Sequence, residues 1–531
     1  MHIKLPLLLL FFTFIAGASP QLSEEVSDPV VVFNSASQNI FRLKAFDETF
    51  EVQLDPIHPD ATVFVSEQLF DGLVTLDSEL NPGPALADYW YKDPDGLFHR
   101  FMLRKGVRFH HGEELTAADV KFSLERILDP ANASPYAEYF LDRVVGAREF
   151  NSGKAREVTG FRVVDSLMFQ IQWTKPYAMA LSLLSMPFCK ILPRDRVLEQ
   201  KRGFFQKPAG TGPFMFEEWV RDNRLEIVGV RLARNPGYFG GIPHIEYVEF
   251  CPYYQLDDFM QGRVHAIPVE SERLLQGDYQ VFRDGSIHPF FLGMSCHTAP
   301  LDDPQVRRAI ALGIDKSEIV RVTHDVRYHR QLLHGFIPSK LPGFFLTDEL
   351  NTYNVQQAQE MLEGAGLTPE KFPELTLLLE EPRTDFKHLL FVELRRQMRA
   401  LGIDLREEYY RRIGQVRNFR RPYLMLSSLQ LDFPGPEAII RPLFSSNAPE
   451  NLCRYSNPEL DGLLRIADLE KSWNVRRDLF VQIQKLLNTD MPAVPLFTQQ
   501  NQVAVQPFVR GIKNQSLGFY HIKMKNVRME R

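Results

Sequence analysis

The sequence predicts a mixed α/β protein built from more than one lobe, and two observations support this. Short apolar strands alternate along the chain with amphipathic helices, a pattern typical of mixed α/β architectures. The chain has 531 residues, whereas a single hydrophobic core stops growing at about 250–300 residues. We therefore expect two or three lobes. Because no low-complexity linker separates them, we expect short crossing strands to join the lobes.

The N-terminal residues have the three-part layout of a secretory signal. A basic start, Met1–Lys4, is followed by the apolar run Leu5–Ile15 and by the small residues Ala16–Ser19. The apolar run is shorter than the roughly 20 residues that a transmembrane helix needs. We therefore expect a signal peptide over residues 1–18, cleaved after Ala18. No lipid anchor is expected, since no cysteine follows the cleavage site.

The first elements of the mature chain follow from their periodicity. Val30–Phe33 predicts a buried strand bounded by turn residues, and Val63–Leu73 predicts a helix. Ala85–Tyr91 and Leu97–Phe109 flank a segment with turn-forming Asp, Pro and Gly, and they predict a β-hairpin. His99 lies between apolar neighbours of this hairpin, so we expect a hydrogen-bonded strand residue and not a ligand.

Capping residues mark the starts of several helices. Thr116 and Asp119 form a capping-box pattern that opens an amphipathic helix ending at Leu128. Asp303 precedes a proline and marks a second start, and Asp315 marks a third. The same patterns predict further strands at Leu225–Val230, Tyr247–Phe250, Leu375–Leu379 and Leu401–Arg406, and helices at Val355–Ala365 and Phe386–Ala400.

The motifs of common catalytic and cofactor sites are absent from the sequence. It contains no phosphate-binding loop, zinc-protease motif, nucleophile elbow or complete dinucleotide fingerprint. His110 and His111, with Glu113 and Glu114, could be drawn as a metal site, but adjacent side chains point in different directions. We expect a solvated loop there. The sequence thus predicts no catalytic residue, no metal site and no cofactor.

The charge of the chain gives information about its partners. The net charge of −6 is small for this length, and acidic and basic residues are mixed along the chain. This gives no electrostatic footprint for nucleic acid, which is therefore not an expected partner.

Four cysteines without a C-x-x-C pair allow three disulfide pairings, and the sequence favours none of them. They are Cys189, Cys251, Cys296 and Cys453.

A series of short strings, in one order along the chain, carries a family resemblance. The string from Leu103 to Gly112 (LRKGVRFHHG) and the string from Leu115 to Val120 (LTAADV) resemble the signature region of the bacterial extracellular solute-binding proteins of the dipeptide, oligopeptide and nickel type. The resemblance extends from about residue 54 to about residue 500. Its other strings are Leu54–Pro56, Phe70–Val74, Gly210–Pro213, Arg234–Gly241, Pro300–Asp303, Val306–Ala309, Ile314–Lys316, Arg454–Pro458 and Met491–Leu496.

The resemblance implies a fold, a location and a function. The fold is the two-lobed periplasmic binding protein fold of the α/β class, with an extra domain inserted in the first lobe. The function is capture of a solute by hinge closure and delivery to the permease of an ABC importer, by a monomer in the periplasm. By likeness, the first lobe takes residues 29–71, 188–288 and 497–531, the inserted domain takes 72–187 and the second lobe takes 289–496.

The resemblance also implies candidate ligand-binding residues. In peptide-binding members, an aspartate in a D-[YF]-x-x-P stretch pairs with the α-ammonium of the ligand, and here that stretch begins with Asp432 and Phe433. A carboxylate sealed in a closing cleft is costly without a cation, so it selects ligands with a free amine. Arg417 falls near a position where some relatives bind the carboxylate of the ligand, a task that suits a guanidinium fork.

Several alternatives stay open at this point. Asp432 would also serve as a turn-starting residue, and most arginines of the run Arg406–Arg421 would be solvated surface residues. Leu429 and Gly435 depart from the Trp and Asp that many relatives have at these positions. These departures alter the pocket wall and favour a non-peptide solute, such as an opine, an oligosaccharide or a metal chelate. An exported hydrolase with a triad hidden by sequence spacing is the rival from another class.

Overall fold

The structure is a computed structural model. It describes residues 39–44, 53–58, 62–77, 79–283, 288–341, 343–346, 352–429, 435–470, 472–513 and 518–530. The predicted signal peptide and the predicted strand Val30–Phe33 lie outside the described residues.

The first third of the described chain forms a small antiparallel sheet with helices packed on it. The strands β4 and β5 form the predicted hairpin, although β5 ends six residues earlier than expected because Gly106 turns the chain with φ +76°. The order in this sheet is β4-β5-β7-β6. The elements are β1 (Ile40–Leu43), α1 (Val63–Leu69), β2 (Val74–Leu76), β3 (Pro82–Pro84), β4 (Ala87–Lys92), β5 (Phe98–Leu103), α2 (Ala117–Leu128), α3 (Ala147–Asn151), β6 (Phe161–Val163), β7 (Met168–Gln172) and α4 (Ala180–Leu184).

Two sequence predictions in this region concern hydrogen bonds, and both are confirmed. The capping box at the start of α2 is present, because the Asp119 carboxylate accepts the backbone N–H of Thr116 at 2.9 Å. His99 is buried in β5, and its Nδ1 accepts the indole N–H of Trp173 at 2.9 Å. The helix predicted over Val63–Leu73 ends earlier than expected, at Leu69, because the chain then turns into a bridge between Gly72 and Lys190.

The next part of the chain returns to pair with β1. The strands β10 and β11 both lie parallel to β1, and β9 and β8 continue the sheet beyond β10. The elements are α5 (Arg194–Gln200), β8 (Phe214–Arg221), β9 (Ile227–Arg234), β10 (Tyr247–Phe250), α6 (Leu256–Met260), β11 (Ala266–Pro268), α7 (Glu272–Gln276) and β12 (Gln280–Arg283).

The last part of the chain adds a second sheet and most of the long helices. Asp303 and Asp315 cap α8 and α9, as predicted, by accepting backbone N–H groups at 2.8 and 3.1 Å. The elements are β13 (His288–Met294), α8 (Pro304–Leu312), α9 (Lys316–Val322), β14 (Tyr328–Leu332), α10 (Val355–Gly364), β15 (Leu375–Glu380), α11 (Asp385–Ala400), β16 (Leu405–Tyr410), α12 (Ile413–Arg417), β17 (Tyr423–Ser428), α13 (Glu437–Phe444), α14 (Pro458–Leu469), α15 (Trp473–Asp490), β18 (Ala493–Val505), β19 (Val509–Arg510) and β20 (Arg528–Met529).

The long strand β18 joins the sheet that contains β1, here called the N-terminal sheet, to the sheet of the last part of the chain, here called the C-terminal sheet. Its first half pairs with β13 and β14, in the C-terminal sheet of order β16-β15-β17-β13-β18-β14. Its last residues, Val503–Val505, pair with β11 and β12 of the N-terminal sheet, which runs through β11, β1, β10, β9 and β8. β18 therefore runs from one sheet into the other, and the prediction that short crossing strands join the lobes stays a prediction.

Buried apolar side chains fall into three large clusters among the described residues. One cluster packs the C-terminal sheet against its helices and runs from Phe290 to Phe497. A second runs from Ile57 to Ile191 around the small antiparallel sheet, and a third fills the N-terminal sheet around Phe41. The lobe boundaries expected from the family resemblance stay predictions.

The four cysteines are free thiols in the structure. Burial raises the pKa of Cys251 to about 12 and that of Cys296 to about 11, so both are protonated at neutral pH. Only the thiolate is a strong nucleophile, so these side chains behave as small apolar groups.

Candidate functional site

A cavity of about 440 Å³ opens at one edge of the C-terminal sheet. The parallel strands β15, β16 and β17 end there with Glu380, Tyr410 and Ser428, which all line the cavity. In open α/β sheets, ligands bind beyond the carboxyl ends of the parallel strands. The volume also falls in the range of about 300–1,000 Å³ that is usual for small-ligand sites. We take this cavity as the candidate functional site.

The remaining walls come from antiparallel strands and from one helix start. Phe290 of β13 and Gln499 of β18 line the cavity from the sheet, and Phe386 lines it from the first turn of α11. The three phenylalanines at this wall pack together, with ring centroids of Phe290 and Phe497 4.9 Å apart and those of Phe290 and Phe386 5.8 Å apart. Leu452, in the loop before α14, also lines the cavity.

Arg330 is a cation held in a fixed position in this wall. It lies on β14 directly opposite Gln499 of β18, and its Nε–H donates to Gln499 Oε1 at 2.9 Å. Its Nη1 donates to the backbone carbonyl of Thr323 and, at 3.1 Å, to the Thr323 hydroxyl. The guanidinium carbon lies 4.7 Å from the centroid of the Phe386 ring and 5.2 Å from that of Phe497.

The guanidinium of Arg330 has no acidic partner among the described residues. Asp325, which also lines the cavity, is already paired with Arg327 at 2.7 Å. Burial lowers the pKa of Arg330 to about 10, against the opposing field of Asp325. The group is therefore still cationic at neutral pH.

The other charged side chains of the cavity lie at its rim. Glu380 and Glu450 are exposed, and no basic side chain pairs with either carboxylate in the described part of the chain. Lys387 lies in the first turn of α11, and its ammonium donates to the backbone carbonyls of Glu380 and Pro382. Burial, with the charge of Glu380, raises the pKa of Tyr410 to about 12, so its phenol is neutral.

Two of the predicted ligand-binding residues, Asp432 and Phe433, lie outside the described residues. The last described residue before them is Leu429, which lines the cavity directly after β17. The chain therefore enters the predicted D-[YF]-x-x-P stretch from the wall of the cavity. The roles of Asp432 and Phe433 stay predictions.

Arg417 is exposed and ends the short helix α12, whose first residue, Ile413, lines the cavity. Its Nη2 donates to the backbone carbonyl of Pro449, and its own carbonyl accepts from Arg454. Arg417 thus holds the loop that brings Glu450 to the cavity, and it is not itself among the lining residues. Its contact with a ligand stays a prediction.

Sequence reasoning missed Arg330 and Phe386. The strand Tyr328–Leu332 is mostly polar, so no apolar alternation marked it, and its partner Gln499 lies 169 residues further along the chain. The one available signal was a charged residue within a strand-length segment between two predicted elements. That signal is too common to single out one arginine.

The predicted solvated loop at His110 is wrong for that side chain. The N–H of Gly210 donates to His110 Nδ1 at 3.1 Å, so the proton lies on Nε2, which donates to the carbonyl of Gly212 at 3.0 Å. Burial lowers the pKa of His110 to about 4. Within the described residues, no group of three or more His, Cys, Asp or Glu side chains is placed to hold a metal ion. Nor does any described helix combine the length and apolarity that crossing a membrane requires.

Comparison with known proteins places the chain in a family. The model of the bacterial extracellular solute-binding proteins, family 5 Middle, matches residues 81–451, more than half of the chain. The chain is 25% identical over 446 residues to di/tripeptide-binding protein 2 of Pseudomonas aeruginosa, covering 78% of this chain and 80% of that protein. It is 24% identical over 474 residues to the periplasmic oligopeptide-binding protein OppA of Salmonella typhimurium, covering 84% of each.

Solved structures share the fold. The periplasmic murein tripeptide binding protein MppA, in its unliganded open form, matches with a TM-score of 0.80 at 21% identity, covering 95% of this chain and 99% of that chain. OppA of Haemophilus influenzae, in complex with the peptide RPPGFSPFR, matches with a TM-score of 0.68 at 22% identity, covering 93% and 99%. The predicted two-lobed periplasmic binding protein fold is thereby confirmed. The chain belongs to family 5 of the bacterial extracellular solute-binding proteins.

Proposed function

We propose that this protein is a non-catalytic periplasmic receptor, which captures short peptides or peptide-like solutes and delivers them to the permease of an ABC importer. It works as a monomer, by closure of its two lobes on the solute. The relatives named above bind di- and tripeptides or oligopeptides, as their names state. This supports a peptide as the solute class.

One observation of the structure carries the proposal. The cavity lies at the carboxyl ends of β15, β16 and β17, and the chain passes from its wall at Leu429 into the stretch that holds Asp432. An extended peptide placed there would find strand ends for backbone hydrogen bonds, and we propose that Asp432, three residues after Leu429, supplies the carboxylate for its amine. Such binding tolerates many side chains, since the main chain supplies most of the contacts.

The proposal is tested with purified protein and defined peptide pools. Native mass spectrometry should detect intact tripeptides bound to the protein, and thermal unfolding should shift upward with the same peptides. A ligand at 100 times its Kd adds about 2.7 kcal/mol to the free energy of unfolding. Oligosaccharides and metal chelates serve as controls. A shift with one of these and none with peptides would contradict the proposal, and cleaved peptides would indicate a hydrolase.

We propose that Asp432 pairs with the α-ammonium of the bound peptide, with Phe433 and Arg417 beside it. Replacing Asp432 by Asn removes the charge that compensates the buried ammonium. Affinity for a free-amine tripeptide should then fall by roughly 2 kcal/mol or more, and affinity for the N-acetylated peptide should change little. Isothermal titration of both peptides with both proteins measures this. Equal losses for the two peptides would indicate that Asp432 has only a structural role.

We further propose that residues 1–18 direct export and are removed, which leaves a mature chain without a lipid anchor. The apolar run and the small residues after it support this. Intact-mass measurement of the protein recovered from the periplasm should give a chain that begins at Ser19. A mass that includes residues 1–18, or an added lipid, would contradict the proposal.

A further inference from the structure

We infer that Cys296 and Cys453 form a disulfide bond in the exported protein, and that this bond fastens the loop before α14 to the end of β13. The four cysteines allow three pairings. The inference goes beyond the proposed receptor function. It rests on the proposed export only because export takes the chain to an oxidising compartment, where disulfides form and persist.

The backbone places the two cysteines side by side. Cys296 lies two residues after the end of β13, and its N–H donates to the carbonyl of Cys453 at 2.9 Å. Residues joined by such a bond between neighbouring strands have Cα atoms about 5.5 Å apart. A disulfide requires Cα atoms about 4.4–6.8 Å apart. The backbone is therefore already at the spacing that the proposed bond needs.

The two sulfur atoms also meet the same end of β13. The thiol of Cys296 donates to the carbonyl of Met294 at 3.2 Å. The sulfur of Cys453 contacts the backbone of Met294 and packs on the preceding residue, Gly293. A Cβ atom at Gly293 would lie only 2.5 Å from this sulfur, so the glycine leaves the space that the Cys453 side chain occupies. Both thiols are thus held against two consecutive residues.

The other two cysteines lie in different parts of the fold. Cys189 belongs to the apolar cluster around the small antiparallel sheet. Cys251 belongs to a separate cluster, with Tyr254 and with residues of β11. Neither cluster contains Cys296 or Cys453. We therefore expect a single disulfide, with Cys189 and Cys251 left as thiols.

The bond forms by exchange with the disulfide of oxidised glutathione or of an oxidising enzyme. The Cys296 thiolate attacks this donor disulfide, which gives a mixed disulfide and releases one thiolate of the donor. The Cys453 thiolate then attacks the Cys296 sulfur, which forms the bond and releases the second. The two cysteines lose their protons, and the donor gains two electrons and becomes two thiols.

This exchange belongs to the folding of the chain and not to the folded state. Burial raises the pKa of Cys296 to about 11, and the side chain of Cys453 is buried. An exposed cysteine has a pKa of about 8.5 and supplies more thiolate at neutral pH. The bond therefore forms before the loop packs, and the same burial then protects it from reductants.

The bond strengthens a loop that forms part of the cavity wall. Glu450 and Leu452 line the cavity and directly precede Cys453. The carbonyl of Leu452 accepts the hydroxyl of Tyr423 at 2.5 Å, which is a single hydrogen bond between this loop and β17. A covalent bond to the end of β13 adds a second attachment that persists as long as the cysteines stay oxidised.

Peptide mapping without reduction tests the pairing. The mature chain is recovered from the periplasm, its free thiols are alkylated in denaturant, and it is digested. We expect one cross-linked peptide pair that carries Cys296 and Cys453 and separates on reduction, together with alkylated Cys189 and Cys251. Alkylation of all four cysteines, or a cross-link that includes Cys189 or Cys251, would overturn the inference.

A second arm separates this inference from the proposed export. Reduced chain made in the cytoplasm, without residues 1–18, is unfolded and then refolded with reduced and oxidised glutathione. The same cross-link should form, and its absence would overturn the inference. If no chain reaches the periplasm, the proposed export fails, and the refolded chain still decides which cysteines pair.

Thermal unfolding measures what the bond contributes. Wild-type protein refolded with glutathione should unfold roughly 3–8 °C above protein refolded and kept in reductant, since the bond closes a long loop. Cys453→Ser should show no such difference and no cross-linked peptide. The matched control Cys189→Ser, which changes another buried cysteine, should keep both. Equal unfolding temperatures of oxidised and reduced wild-type protein would contradict the fastening of the loop.

Discussion

Buried histidines of this protein act as neutral hydrogen-bond partners. His99 accepts from the indole of Trp173, His110 accepts from Gly210, and His265 accepts the backbone N–H of Arg42 at 2.9 Å. Burial lowers the pKa of each of the three to about 4. Protonation of any of the three rings would put a proton on the nitrogen that accepts the hydrogen bond, and this bond would be lost.

The histidines therefore predict a loss of stability in mild acid. With a pKa of about 4 in the folded state and about 6.5 in the unfolded state, the unfolded chain binds more protons between these values. The free energy of unfolding should fall as the pH drops from 6.5 to 4. In His99→Gln, which keeps an acceptor for Trp173, this fall should be smaller by up to about 3 kcal/mol. Urea unfolding at several pH values measures it.

The matched control is His388→Gln, which changes an exposed histidine on α11. Its unfolding curves should follow those of wild-type protein at each pH. If His99→Gln and His388→Gln gave the same pH dependence as wild-type protein, the protonation of His99 would not contribute to acid unfolding.

At the scale of the element, Asp119 connects two helices. Its Oδ2 accepts the backbone N–H and the hydroxyl of Thr116 at the start of α2, at 2.9 and 2.7 Å. Its Oδ1 accepts the backbone N–H of Arg194 at 2.9 Å, in the first turn of α5. One carboxylate thus satisfies donors from both helix ends.

Asp119→Ala should therefore cost more than the loss of one helix cap. A cap contributes about 1 kcal/mol, and an unsatisfied backbone donor adds about 1–3 kcal/mol, so we expect a loss of about 2–3 kcal/mol. Asp303→Ala removes a single capping bond, to Gln305, and should cost only about 1 kcal/mol. Chemical denaturation compares the two. Equal losses would mean that the bond to Arg194 contributes nothing.

The elements also show what could be predicted from the sequence. Capping residues such as Asp303 act within one turn of the chain, so the sequence alone places them. The strand expected at Leu401–Arg406 forms at Leu405–Tyr410 instead, because Leu401 ends α11 and Gly402 turns the chain with φ +77°. Apolar residues at a helix end and at a strand start give one continuous run, and periodicity does not divide it.

The candidate site could be predicted from the sequence less completely than the fold. The resemblance led to the stretch after β17, whereas Arg330 and Gln499 line the cavity and meet only through strand pairing. Such pairing depends on the register of β14 against β18, and no local pattern in Tyr328–Leu332 specifies that register. Most of the cavity wall is formed by residues that are far apart in the sequence and come together only in the fold.

At the scale of the whole molecule, β18 is the continuous connection between the two sheets. Residues up to Gln499 pair with β13, and residues after Gln502 pair with β11, so a rotation between the sheets must bend this strand. Closure of two lobes around such a connection is a hinge motion.

We expect a saturating tripeptide to make the molecule more compact. Small-angle X-ray scattering should show a smaller radius of gyration with the peptide than without it, because the lobes close over the cavity. The same peptide with Asp432→Asn protein, at a concentration that leaves it unbound, should give no change. An unchanged radius for wild-type protein with bound peptide would contradict hinge closure.

The position of β18 in the chain also determines when this protein can finish folding. It comes after almost all other strands, yet it lies between β13 and β11 and pairs with four strands, β11, β12, β13 and β14. Until residue 505 has been synthesised, both sheets lack the strand that joins them. Such late, long-range pairing is slow. The two sheets are therefore completed only when synthesis of the chain is nearly finished, whereas the strands of the small antiparallel sheet, β4 to β7, are all present by Gln172.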